Sequence, residues 1–155
     1  MSEFEFNEFE QFVDNWNAVY RDFEEFFKTF LLEQAMRVIA KVKPNTPVDT
    51  GAMRAMWGIG SQELVVRTAT GSGLIEVDPE RSGIASIDVV GDNLEVAIWN
   101  GMDYASFIEY GARNLDGSWR EGIFILTIAV DLINRQMPAR FDRAWKQFLM
   151  QRGVS

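Results

Sequence analysis

The sequence predicts an α+β fold: a long N-terminal helix, a small antiparallel sheet with a short helix, and a kinked C-terminal helix. Three observations carry this expectation. Apolar residues recur at helical spacing over residues 9–30, alternate with a period of two on either side of Gly91-Asp92-Asn93, and return to helical spacing over residues 126–148.

The first helix is read from Phe9, Phe12, Trp16, Val19, Phe23, Phe26 and Phe30, a 3-4-3-4-3-4 seam. The apolar register then shifts to Leu31, Ala35, Val38, Ile39 and Val42, and Pro44 closes the pattern because the residue before a proline avoids the helical region. The helix is therefore expected over about 7–43. At 1.5 Å per residue it would be about 55 Å long, against a diameter of roughly 40 Å for a compact domain of this size. Either it breaks at Asp14-Asn15-Trp16-Asn17, its segment of weakest propensity, or residues 1–20 extend as a helical arm. An arm would expose Phe9, Phe12, Trp16 and Phe23 as interface candidates.

Residues 43–51 hold Pro44, Asn45, Pro47 and Asp49 and read as a turn-rich connector. Residues 51–56 form one or two helical turns with Asp49 or Thr50 as N-cap and Gly51 as a bend, so that Met53, Met56 and Trp57 reach the core. Strands are expected over 57–59, 64–68, 84–90 and 94–99, the last two forming a hairpin. Residues 69–83, with three glycines and a proline, read as a mobile loop.

Tyr104, Phe107 and Ile108 space a short helix over 102–110 that Gly111 can end. Ser118-Trp119-Arg120-Glu121 has the form of a capping box, which places the start of the last helix near Trp119. Leu126, Val130, Ile133, Met137, Phe141, Ala144 and Phe148 line one face of it, and Pro138 should kink or split it near 135–137.

A chain of 155 residues is expected to be a single domain, 1–155. Cysteine and histidine are both absent. That removes disulfides, thiolate ligands, the commonest general base and any Ser-His-Asp or Cys-His machinery. No metal site or cofactor is expected. The acidic start MSEFEFNEFE lacks the pattern of a secretory signal, and the longest apolar run, 123–130, is far short of the roughly 20 residues of a membrane span. A soluble protein without membrane contact is expected.

The net charge of -8 is uneven: residues 1–43 carry nine acids and five bases, 44–123 twelve and five, and 124–155 two and five. An acidic body argues against sequence-independent DNA binding, which rests on neutralising phosphates. An acidic body with a basic tail does permit head-to-tail contact between copies.

Val48-Asp49-Thr50-Gly51-Ala52 is written like the catalytic loop of a retroviral-type aspartic protease, in which a homodimer supplies two aspartates. That alternative fails on its surroundings. Two prolines precede Asp49 where a buried strand is required, Glu109 and Tyr110 stand where the supporting segment needs apolar residues, and half the chain reads as helix. No catalytic residue, and no enzyme, is expected. A second alternative is a small adaptor that self-associates through the seam of residues 9–30.

Two longer motifs carry a resemblance. Thr46-Pro47-Val48-Asp49-Thr50-Gly51-Ala52-Met53-Arg54 is followed about 50 residues later by Asn100-Gly101-Met102-Asp103-Tyr104-Ala105-Ser106-Phe107-Ile108-Glu109-Tyr110-Gly111. Together, over roughly residues 38–130, they resemble the tenth-gene-product tail-component family of tailed phages. Gly117-Ser118-Trp119 and Gly122-Ile123-Phe124-Ile125-Leu126-Thr127-Ile128 resemble the branch in contractile-tailed phages and phage-tail-like bacteriocins of Gram-positive bacteria.

The resemblance implies a structural subunit of a phage virion or phage-tail-like particle, assembled in the host bacterial cytoplasm. It implies a homo-oligomeric ring, six-fold, at the neck, collar or upper tail end. The neighbours would be a tail terminator, tail tube or sheath, or head-closure protein, with DNA only as passing cargo. Thr46, Pro47, Asp49, Thr50, Gly51, Arg54, Tyr104, Ala105, Glu109 and Gly111 would form the structural motif. Arg54 and Glu109 are expected to pair and so join its two halves.

Overall fold

A computed structural model describes residues 6–60, 66–68, 75–77 and 87–154. The element order is α1 (Phe6–Asn45), α2 (Ala52–Ala55), β1 (Trp57–Ile59), β2 (Val66–Thr68), β3 (Ile75–Val77), β4 (Asp88–Val90), β5 (Asn93–Glu95), β6 (Ile98–Asn100), α3 (Ala105–Tyr110), β7 (Gly111–Arg113), β8 (Trp119–Glu121) and α4 (Ile125–Met150). The class is α+β, with a long first helix and a long last one.

Helix α1 runs for 40 residues without a break at residues 14–17. Asn15, a weak helix former, spends its side-chain amide on the carbonyl of Gly153 at 3.2 Å, so it does not compete for its own backbone. The helix ends two residues later than expected because two side chains bind the carbonyls that a terminus leaves orphaned. Asn45 Nδ2 donates to the Lys41 carbonyl at 2.8 Å and Thr46 Oγ1 to that of Val42 at 2.7 Å.

The chain divides into two compact units, Met1–Phe30 with Gln136–Ser155, and Leu31–Arg135. The first is held by aromatic rings. Phe26 meets Phe148 at 4.5 Å and Trp145 at 5.5 Å between centroids, and Phe27 and Phe30 each meet Phe141 at 5.3 Å. Val19, Phe30 and Phe148 are buried there. Aromatic pairs of this kind add about 0.5–1.5 kcal/mol each beyond their area burial.

The end of α4 closes this unit. Val154 N–H donates to the Leu149 carbonyl and Gly153 N–H to that of Met150, with Gly153 at φ 71°, which is a Schellman cap. A Cβ at Gly153 would lie 2.8 Å from Asn15 Nδ2 as well as being strained. Gly153→Ala is expected to cost about 1–2 kcal/mol, readable as a lower midpoint in urea denaturation.

Arg152 donates to Asp22 Oδ2 at 2.9 Å and lies 3.7 Å over the Phe148 ring. Hydrogen bonding from Arg21, opposed by burial and helped by Arg152, holds the Asp22 carboxyl below its ordinary value. A depressed acid adds stability above its unfolded pKa and loses it as pH falls through the folded value. Asp22→Asn should therefore be less stable than wild type at neutral pH, and the two should converge in acid. pH-dependent denaturation curves check this.

The second unit has its core in Val38, Val42, Met53, Trp57, Ile125, Ala129 and Ile133. Its strands form two-stranded antiparallel pairs, β1 with β6, β2 with β3, β4 with β5, and β7 with β8. Trp57 stands opposite Asn100, Gly58 opposite Trp99 and Ile59 opposite Ile98. The expected hairpin around residues 91–93 is present, with Val90 opposite Asn93 and Gly91 at φ 61° in the turn. The expected strand 94–99 is split, however, since β5 serves that hairpin and β6 serves β1.

Two expectations are corrected. The stretch 69–83, read as a loop, contains β3, which pairs with β2; its other residues lie outside the described ones, as do residues 1–5 of the expected arm. Ser118-Trp119-Arg120-Glu121 does not begin a helix. The Ser118 hydroxyl donates to Asp116 Oδ1 and its N–H does the same, so it builds a turn instead. Trp119–Glu121 then pairs with Gly111–Arg113, and the helix starts only at Ile125. Pro138 lies inside α4 and does not end it.

Candidate structural site at the two motifs

The first motif hangs on Thr46, only 2% exposed. Its hydroxyl donates to Val42 O and accepts the Trp57 indole N–H at 2.8 Å, while its carbonyl accepts Arg54 Nη2 at 3.3 Å. One threonine thus ties the end of α1 to β1 and to the short α2. Trp57 needs such an acceptor because a buried indole N–H left unmatched is costly.

Pro47, Val48, Asp49 and Thr50 form the exposed rim of the corner. Asp49 makes no hydrogen bond or ion pair among the described residues, so it is not the cap that was expected. Gly51 occupies the N-cap position at φ 82°, as the bend required, and Thr50 Oγ1 accepts Ala52 N–H at a long 3.4 Å.

The second motif is joined to the first through Asn100, a residue for which the sequence predicts no role. Its Nδ2 donates to the Met53 carbonyl at 2.8 Å, its Oδ1 accepts Met102 N–H at 3.1 Å, and Gly101 N–H donates to Met56 O at 3.2 Å. The signal that could have found it is its place: an amide at the end of an apolar strand, just before a Gly, is a turn-forming residue with bonds to spare. Tyr104 stands at the N-cap of α3, its carbonyl accepting from Phe107 and Ile108, and the Ala105 N–H donates to Met102 O. Ala105 packs against the core cluster.

Arg54 and Glu109 do not pair. Glu109, 7% exposed, accepts Leu126 N–H at 2.9 Å, Thr127 N–H at 2.8 Å and the Thr127 hydroxyl at 2.7 Å. Its carboxylate caps the N-terminus of α4, where unpaired N–H groups and the helix dipole both favour an anion. These donors are fixed in space, whereas Arg54 on the exposed side has the Thr46 carbonyl within reach. Backbone bonds from Ile123 N–H to Ile108 O and from Phe124 N–H to Glu109 O fasten the same two segments.

Gly111 follows at φ 91° and is buried; a Cβ there would run into the Arg120 carbonyl across the β7–β8 pair. Only glycine fits both the dihedral and the space. Phe124, at φ 50°, is the one non-glycine residue with positive φ among those described, and its ring meets Tyr110 edge-on at 6.4 Å. The strain falls where the chain turns into α4, and the Phe124 carbonyl there accepts Ile128 N–H.

Taken together, Thr46, Asn100 and Glu109 spend their polar atoms on the chain's own backbone and side chains. Among the described residues no group of His, Cys, Asp or Glu could hold a metal ion, and no helix is long and apolar enough to cross a membrane. The interface candidates Phe9, Phe12, Trp16 and Phe23 are not part of this site; they lie exposed along α1.

Residues 10–111 match the family model HK97-gp10-like, described as bacteriophage HK97-gp10, putative tail-component. The chain belongs to the HK97-gp10-like family. The match covers well over half of the 155 residues and contains both motifs, from the seam of α1 through α3 to Gly111. It supports a structural role in a phage tail. The segment 117–128, on which the likeness to the contractile-tail branch rests, lies beyond the matched residues. No curated protein and no solved structure gives a match.

Proposed function

We propose that the chain is a ring-forming subunit at the neck or upper end of a phage or phage-like tail, where it joins or caps the tail. The observation that carries this reading is the family match together with a site whose buried polar groups are all committed to holding elements in place. Such a corner fixes the angle between helices, which a subunit repeated by rotation must reproduce in every copy. The ring is six-fold, its neighbours are a tail terminator, tube, sheath or head-closure protein, and DNA meets it only in passing. The motif residues, Asp49 included, act structurally.

Deleting the gene for this chain tests the role. Heads and tails that accumulate unjoined, or headless tails with an unfinished upper end, are expected; complete particles of normal infectivity or killing would contradict it. The alternative in which Asp49 is half of a catalytic pair has its own control. Asp49→Asn should assemble as wild type, and loss of a peptide-cleaving activity in that variant would overturn the structural assignment.

The two motifs should also behave independently of an Arg54–Glu109 pair. In a double-mutant cycle with Arg54→Ala and Glu109→Ala, the stability losses are expected to add within about 0.5 kcal/mol. A coupling well above that would restore the pairing.

A further inference from the structure

The seam of α1 is covered in one half and bare in the other. Its positions Phe26, Phe27 and Phe30 pack on Phe141, Trp145 and Phe148, and Phe23 at the border meets Trp145 edge-on while staying 45% exposed, but Phe9, Phe12, Val13, Trp16 and Tyr20 are exposed, from 39% at Val13 to 87% at Tyr20. Written as a heptad from Phe9, these are positions a, d and e, the width of a helix face that meets other helices. Among them only Val19 is buried.

We infer that this bare face, residues 9–23 of α1, is a docking surface for the same segment of a second copy of the chain. Two observations favour a second copy over another occupant. The first is area. Five aromatic rings of roughly 200 Å² each, more than half exposed on average, present about 550 Å² per copy. Two copies would bury about 1,100 Å², which clears the threshold of a specific interface, while the patch on one copy is as large as the biggest that monomers ordinarily carry.

The second is charge. The acids that make the segment negative, Glu10 and Asp14, fall with Arg21 on the outer positions. On the apolar face and its margins between residues 9 and 23 the single charge is Asp22, which is already bound to Arg21 and Arg152. Two identical segments can therefore meet without bringing like charges together, even though the chain as a whole is acidic. An apolar stripe with a neutral border is complementary to itself.

This contact pairs two copies through the same face and depends neither on the symmetry of the proposed ring nor on its place in a tail. The absence of cysteine from the chain gives a clean test. Trp16→Cys sits at the middle of the face and would face its equivalent in either relative direction of the helices, while Asp14→Cys points away from it. On mild oxidation of the full chain, Trp16→Cys is expected to form covalent dimer at least about tenfold faster than Asp14→Cys. Sedimentation should show wild type self-associating and Phe12→Glu with Trp16→Glu staying monomeric at the same concentration.

Equal cross-linking of the two cysteine variants, or a wild type that is monomeric at all concentrations, would overturn the inference. So would cross-linking of position 16 to a different protein in the assembled particle. The two readings fail separately. Cross-linked arms in a protein that the particle does not contain leave this contact standing and remove the ring at the tail, whereas a ring that forms with the Phe12→Glu, Trp16→Glu variant removes this contact alone.

Discussion

Replacing Glu109 by alanine should cost about 4 kcal/mol and lower the melting temperature by roughly 8–16 °C. The carboxylate receives two backbone N–H groups and one hydroxyl at the first turn of α4, and hydrogen bonds to charged groups are worth about 1.5–3 kcal/mol each before they are found to overlap. Truncation also leaves the N–H groups of Leu126 and Thr127 without the acceptor in a part-buried place, at the end of the helix that supplies Ile125, Ala129 and Ile133 to the core. Glu109→Gln keeps one acceptor oxygen but loses the charge that the helix dipole favours, so about half of the loss should return. Thermal unfolding of the three proteins checks the order. A Glu109→Ala variant as stable as wild type would mean that the cap contributes nothing.

The second large effect is expected at Thr46. Thr46→Val keeps the shape and removes the hydroxyl, which strands the Trp57 indole N–H and the Val42 carbonyl in a buried corner. A cost of about 2–3 kcal/mol follows, most of it the penalty for an unmatched buried donor. Trp57→Phe removes that donor, at the expense of some packing, so the double variant should be less destabilised than the sum of the two single ones by about 1 kcal/mol. Additive losses would show that the Trp57–Thr46 bond does not join α1 to β1.

Much of this was legible from residue spacing. The α1 seam, the hairpin at Gly91 and the helix ended by Gly111 all follow from periodicity and from residues with one strong local preference. The errors lie where a local pattern has two uses. Ser118-x-x-Glu121 serves a capping box and a turn followed by a strand equally well, and only the pairing of Trp119 with Arg113 decides between them. The partner of Glu109 differs from the expected Arg54 for a related reason. A charge in a sequence suggests another charge, but the strongest demand in the fold came from the uncapped N–H groups of α4, which no side-chain letter records. The role of Asn100 is not legible in the sequence because its side chain acts on a backbone carbonyl, that of Met53, 47 positions earlier.

The DTG letters are a further pattern with two uses. Three residues specify a bend, with Gly51 at positive φ and Thr50 beside it, and any protein that needs that bend can use them. What distinguishes a catalytic loop is what surrounds the aspartate. Here Asp49 is exposed between the end of a 40-residue helix and a four-residue one, far from the arrangement of paired, buried carboxylates that such catalysis demands.

The central claim, that this chain is a repeated structural element near the top of a tail, is tested most directly by cryo-imaging of the intact particle. Density for the chain should appear as a closed ring at the neck or upper tail end, with α1, α4 and the Thr46–Asn100–Glu109 corner recognisable in each copy. Finding the chain at the baseplate or in a fibre, or finding no copy of it in the particle, would contradict the account.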